Sequence, residues 1–161
     1  MNNGINDDLN SLLKEALNSE LKAKKFYEDA YNKAESETGK KLFLELAEFE
    51  EGHYQKVKSI IESRLDGESI KDSEISHKRI QINSEIEGVF EPNKDEIIDI
   101  IYLAIESEKK SQDRYRKISN MFEDDFGKKI FDNLAQDEYN HQKILEDELY
   151  HLSNKGTIIW D

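Results

Sequence analysis

Apolar side chains recur along this chain in alternating steps of three and four, the period of an α-helix that buries one face. Leu13, Ala16, Ala23, Tyr27, Ala30 and Ala34 form one such stripe, and Phe43, Leu46, Ala47, Val57 and Ile61 a second. Ile101, Ala104, Tyr115, Ile118 and Phe122 form a third; Phe131, Leu134, Ala135 and Leu145 a fourth. The pattern predicts helices over about 7–35, 40–65, 94–122 and 127–152 within a single domain, residues 1–161. Asp7 and Asp8 suit the positive end of the first helix. Ser, Thr and Gly cluster where it should end, near Glu35 to Gly39, and Asp66-Gly67 breaks the second. Pro92-Asn93 followed by Glu96 reads as a capping box for the third. The crossover 66–93 is polar and weakly patterned, with a short strand or loose coil expected at Arg79 to Ile86. A short loop would force the second and third helices to lie antiparallel, whereas a connection of this length can cross a whole bundle. The tail, residues 153–161, ends GTIIWD and reads as an apolar latch on the bundle or on a second subunit.

The stripes are written twice. KKLFLELAEFEEGHYQKV, Lys40 to Val57, returns as KKIFDNLAQDEYNHQKIL, Lys128 to Leu145, at a constant offset of 88 residues. The first helix maps onto the third at the same offset: Leu13 onto Ile101, Ala16 onto Ala104, Tyr27 onto Tyr115, Ala30 onto Ile118. Gly127 repeats Gly39. The chain is a duplicated helical hairpin, and the repeat covers nearly all of it. The fold class is all-α: a four-helix bundle with one long crossover connection.

Six members of the stripes are not apolar. Glu20 and Glu108 interrupt the first and third; Glu50 with His53, and Glu138 with His141, interrupt the second and fourth. Residues three apart share a helix face, so each Glu-x-x-His offers a carboxylate and an imidazole to one point. The bare motif carries little weight, because all four histidines follow a glutamate by three, Glu74/His77 and Glu148/His151 included. Context separates them. Glu74/His77 lies in the crossover; Glu148/His151 maps back onto Ile60 and Ser63, and Glu148 sits about a quarter turn off the stripe.

Four core glutamates cannot all ionise in a dry interior unless something neutralises them, and no lysine or arginine lies on these stripes. Two divalent cations would cancel the four carboxylates and leave two neutral imidazoles to complete the coordination. Oxygen and nitrogen donors suit iron or manganese, and the absence of thiolate disfavours structural zinc. The bland alternative is four buried glutamates satisfied by tyrosines and histidines.

Composition narrows the classes. A net charge of −13 argues against nucleic acid and anionic membrane surfaces as partners. With no cysteine, disulfides, zinc–thiolate sites and iron–sulfur or rubredoxin-type centres are excluded. The N-terminus lacks a basic region followed by an apolar core, and no apolar run approaches the roughly 20 residues that span a bilayer. A cytoplasmic protein is expected.

One glutamate from each of two helices plus Glu-x-x-His from each of the others resembles the ligand set of ferritin-like di-iron carboxylate bundles. Within that group the chain looks like a member of the rubrerythrin branch, in which both halves carry Glu followed seven residues later by Tyr, here Glu20/Tyr27 and Glu108/Tyr115. The resemblance covers about residues 8 to 152. It implies that Glu50 and Glu138 bridge two iron ions, that Glu20 and Glu108 are terminal ligands, and that His53 and His141 bind one ion each. Manganese or zinc would be substitutes. Tyr27 and Tyr115 would orient carboxylates by hydrogen bonds. The implied activity is reduction of hydrogen peroxide or dioxygen with electrons from an external donor protein, in a homodimer. The alternatives are a ferroxidase that sequesters iron and a helical interaction module with a structural metal site. The chain departs from the branch in having no rubredoxin centre. It also has Ser111 where an additional carboxylate is expected, with Glu106 on an adjoining face.

Overall fold

The repeated stripes fold as four helices: α1 Asn3–Lys33, α2 Glu37–Leu65, α3 Lys94–Met121 and α4 Asp125–Asn154. A computed structural model describes residues 3–65 and 91–154, so the expected strand at Arg79 to Ile86, the Glu74/His77 pair and the C-terminal tail lie outside the described residues. Among the described residues there is no strand. The duplication extends to the helix ends. α1 stops at Lys33 and α3 at Met121, α2 begins at Glu37 and α4 at Asp125, each pair 88 residues apart.

The caps repeat as well. Ser36 Oγ accepts the Gly39 N–H at 2.9 Å, and Asp124 Oδ2, 88 residues on, accepts the Gly127 N–H at 2.7 Å. These bonds satisfy backbone donors that a helix start leaves without partners. Both glycines are needed for space. A β-carbon on Gly39 would lie 2.8 Å from Ser36 Oγ and 3.0 Å from Glu91 Oε1, and one on Gly127 would meet the Phe122 ring at 2.7 Å.

The expected capping box at α3 is not formed. Asn93 occupies the N-cap without a side-chain cap bond; its amide instead donates to Lys33 O at 3.0 Å and to Glu96 Oε2 at 3.1 Å. The buried Glu91 takes over the junction. Its carboxylate accepts from the Glu35, Ser36 and Asn93 N–H groups and from the Ser36 hydroxyl, pinning the start of α3 to the turn between α1 and α2. Arg64, near the end of α2, donates to Asn10 Oδ1 at the other end of the bundle. The crossover therefore joins points separated by the length of α2, about 43 Å for its 29 residues.

The direction of each neighbour follows from cross-helix pairs. Tyr27 of α1 reaches Glu108 of α3 while Glu20 meets Tyr115, so residue order reverses and the two helices are antiparallel. Across α2 and α4, His53 faces Glu138 and Glu50 faces His141, again antiparallel. The core is two apolar clusters rather than one. One holds Leu9, Leu13, Val57, Ile60, Tyr115, Ile118, Phe131 and Leu134; the other holds Tyr27, Ala30, Phe43, Leu46, Ile97, Ile101 and Leu145. The 88-residue offset carries Leu9, Leu13 and Val57 of the first onto Ile97, Ile101 and Leu145 of the second, a pseudo-twofold relation. Glu148 breaks it: read from the sequence as lying off the stripe, it is buried where Ile60 is buried in the other half. The stripe of α2 likewise runs through Ile60, with Ile61 only partly buried.

Candidate metal centre

Between the two apolar clusters lies a polar band made of the six stripe-breaking residues. Glu20, Glu50, His53, Glu108, Glu138 and His141 are each no more than 2% exposed. Each helix supplies its share because the face that holds Leu and Phe above and below also carries the glutamate in the middle. Two donor sets form: Glu20, Glu50, His53 and Glu138, and Glu50, Glu108, Glu138 and His141, with the donor atoms of each set within 4.8 Å of one another. Glu50 and Glu138 belong to both sets. The remaining four residues divide evenly, one Glu and one His to each.

The imidazoles present Nδ1 to the carboxylates. His53 Nδ1 lies 2.6 Å from Glu138 Oε1 and 3.7 Å from Glu20 Oε1; His141 Nδ1 lies 3.3 Å from Glu50 Oε1 and 3.6 Å from Glu108 Oε2. These are close approaches without hydrogen-bond geometry. Each of the six residues keeps a buried donor atom with no hydrogen-bond partner: Glu20 Oε2, Glu50 Oε1, His53 Nδ1, Glu108 Oε2, Glu138 Oε1 and His141 Nδ1. Unpartnered buried polar atoms are costly and rare in folded proteins. Six converging on one place, all metal-ligating types, fit a pair of cations of the hard-to-borderline class.

Protons take over part of that role in the metal-free chain. Burial raises Glu50 and Glu138 well above the ordinary carboxyl range, and the charges of Glu138 and Glu108 respectively add to it. Burial opposes ionisation of Glu20 and Glu108 too. The closeness of Glu50 and His53 to Glu20, and of Glu138 and His141 to Glu108, outweighs it and holds both below the usual value. Burial would lower His53, but the Asp137 carboxylate and then Glu20 hold its proton up to about 10. The tyrosines stay protonated, raised first by burial and then by the neighbouring glutamates.

Tyr27 and Tyr115 stand beside the band, and each serves the opposite half of the repeat. The Tyr27 hydroxyl donates to Glu108 Oε1 at 2.6 Å, and the Tyr115 hydroxyl donates to Glu20. Sequence spacing pairs each tyrosine with the glutamate on its own helix; the antiparallel crossing of α1 and α3 exchanges them.

Two residues of the site were missed by the sequence reading. Asp137 Oδ2 lies 3.2 Å from His53 Nε2, and Phe49 packs T-shaped against His141, 4.3 Å between ring centroids. They occupy equivalent positions, 88 residues apart, immediately before Glu50 and Glu138. A comparison of the two copies for differences rather than likenesses would have found them. Phe49 packs T-shaped against the His53 ring as well, at 5.0 Å between centroids, so what distinguishes the two imidazoles is the Asp137 carboxylate behind His53. Glu106 is exposed and paired with Lys109 at 3.6 Å, outside both donor sets, so it does not stand in for a carboxylate at Ser111, which is itself buried. His151 is exposed, and neither it nor Glu148 joins a donor set.

A four-helix bundle with one end-to-end crossover and a midline band of Glu and His defines the ferritin-like class. The Rubrerythrin family model matches residues 11–149, and the chain belongs to that family. A hypothetical protein from Pyrococcus furiosus shares the fold, with a TM-score of 0.72 and 24% identity over 91% of this chain and 90% of that one. No curated protein matches the chain significantly. Among the described residues, no helix is long and apolar enough to cross a membrane.

Proposed function

We propose that the chain is a di-iron oxidoreductase of rubrerythrin type that reduces hydrogen peroxide or dioxygen with electrons from an external donor protein. The observation that carries this reading is the pair of donor sets sharing Glu50 and Glu138, each closed by its own Glu and His. Glu50 and Glu138 would lie between the two irons, Glu20 with His53 would hold one and Glu108 with His141 the other. A pair of ferrous ions there would supply two electrons, enough to take hydrogen peroxide to water or dioxygen to peroxide.

The protein's own groups do the rest. Tyr27 and Tyr115 keep their protons at the phenol oxygen and fix Glu108 and Glu20 by donating to them. Asp137 orients the His53 ring and turns its Nδ1 toward the band. The two apolar clusters exclude water above and below, which strengthens every charge interaction between them.

The test begins with metal content. The chain loaded anaerobically with ferrous iron and desalted should retain about two irons, and the loaded protein should consume peroxide repeatedly with an added artificial reductant. Retention of two irons without turnover by either oxidant would sink the oxidoreductase reading and leave a metal-binding bundle. Retention near zero would sink the centre itself.

A further inference from the structure

Away from the proposed ligands, a pocket of about 220 Å³ opens between α1 and α3. Its walls repeat. Ser19 and Lys22 on α1 face Ser107 and Lys110 on α3, each pair 88 residues apart, so the pocket sits on the pseudo-twofold axis of the duplication. Ser111 and Arg114 complete the polar lining, and no aspartate or glutamate belongs to it. This is unexpected in a chain with 36 acidic and 23 basic side chains. Lys22 and Lys110 make no ion pair with the described residues. Arg114 meets Glu15 at 3.7 Å, but Glu15 is 61% exposed, so solvent screens that contact.

Three cations around one cavity repel one another unless something anionic lies between them. Two point-charge ammonium groups, one guanidinium fork and three hydroxyls match the oxygens of a tetrahedral or trigonal oxyanion. At about 30 Å³ per water, the volume corresponds to roughly seven waters, room for one such ion with part of its hydration and too little for a peptide segment.

We propose that the pocket between α1 and α3, lined by Lys22, Lys110 and Arg114 together with Ser19, Ser107 and Ser111, binds a small inorganic oxyanion of phosphate size. The site uses none of the proposed metal ligands, although Ser19 and Ser107 immediately precede Glu20 and Glu108 in the chain.

The test uses the full chain freed of metal by chelation, so it stands or falls independently of the iron reading. Inorganic phosphate is titrated at constant ionic strength while backbone amide resonances are followed by NMR. Saturable shifts are expected at Ser19, Lys22, Ser107, Lys110, Ser111 and Arg114. A K22A/K110A variant should bind at least about tenfold more weakly. A K58A/K129A variant, which loses the same charge from exposed positions on α2 and α4, should bind like the parent. Shifts that never saturate, or equal weakening in both double variants, would overturn the proposal in favour of diffuse attraction to the surface.

Discussion

Filling the proposed centre must expel protons. The perturbation is titration of the metal-free protein with manganous ion, which avoids the oxidation that ferrous ion undergoes in air. Three of the six proposed ligands hold protons that a metal cannot share: Glu50 and Glu138, raised well above the ordinary carboxyl range first by burial, and His53, held up to about 10. Each displaced proton adds one unit to the logarithm of the binding constant per pH unit, about 1.4 kcal/mol. Three together give roughly a thousandfold, or about 4 kcal/mol, per pH unit for the pair of ions. The slope should be steepest where all three groups are protonated and fall as each in turn loses its proton, His53 by about 10. Titration calorimetry at pH 6 in buffers of different ionisation enthalpy counts the protons directly. About three released per two ions is the expected result. A count near zero, or an affinity independent of pH, would show that the band is already ionised without metal and would refute the electrostatic account of the site.

Metal-free protein should lose thermal stability as pH rises from 7 toward 10. Glu50, Glu138 and His53 bind protons more tightly folded than unfolded, so their contribution is present below the unfolded values of 4.5 and 6.5 and is lost through the folded ones, by about 10 for His53. Glu20 and Glu108, lowered, contribute in the opposite sense and only at the acid end; a melting temperature that climbed between pH 7 and 10 would contradict this, and metal-loaded protein should show a much flatter profile. Glu50→Gln replaces a protonated carboxyl by a neutral amide of similar shape. It should fold at pH 6 as the parent does, resist alkali better without metal, and retain fewer than two ions by elemental analysis; full retention would remove Glu50 from the ligand set. Tyr27→Phe leaves Glu108 Oε1 without its donor at 2.6 Å and should cost about 1–3 kcal/mol by denaturant unfolding of the metal-free chain. Asp137→Asn keeps a hydrogen-bonding group behind His53 but removes the charge, so metal affinity should fall about 10- to 100-fold. Unchanged affinity in that variant would reduce Asp137 to a packing role.

The repeat made most of the architecture legible. Once Glu20 and Glu108 stood at equivalent positions of two apolar stripes, the sharing of one face and the meeting of that face with Glu50 and Glu138 followed from helical period alone. Contacts that depend on how the hairpins cross were not legible. Nothing in the spacing of Glu20 and Tyr27 says that Tyr27 bonds Glu108, because that follows from the antiparallel course of α1 and α3. The failed capping box has a similar cause: Asn93 has the right residue type, but Glu91, two residues earlier, supplies a buried carboxylate that already organises the junction. Glu148 was misplaced because the offset rule expects an apolar residue opposite Ile60, and a single departure from a repeat carries no sign of whether it faces inward.

Differences between the halves are where a symmetric scaffold acquires direction. Along the band the two copies agree at Glu20/Glu108, Tyr27/Tyr115, Glu50/Glu138 and His53/His141, so the donor sets are near-equivalent by construction. The residues behind the imidazoles are not. Asp137 accepts from His53 and favours a ring that is a strong electron donor at Nδ1, whereas Phe49, at the equivalent position of the other copy, packs against both imidazoles and offers neither an acceptor. A cation in the His53 set would therefore be held more tightly than one in the His141 set, although both share Glu50 and Glu138. Sequential rather than simultaneous filling is the consequence, with the His53 set filled first once the pH is high enough to release the His53 proton. The Asp137→Asn variant bears on this directly: at that pH it should bring the two binding steps closer together, because it weakens the tighter set and touches no ligand of the other.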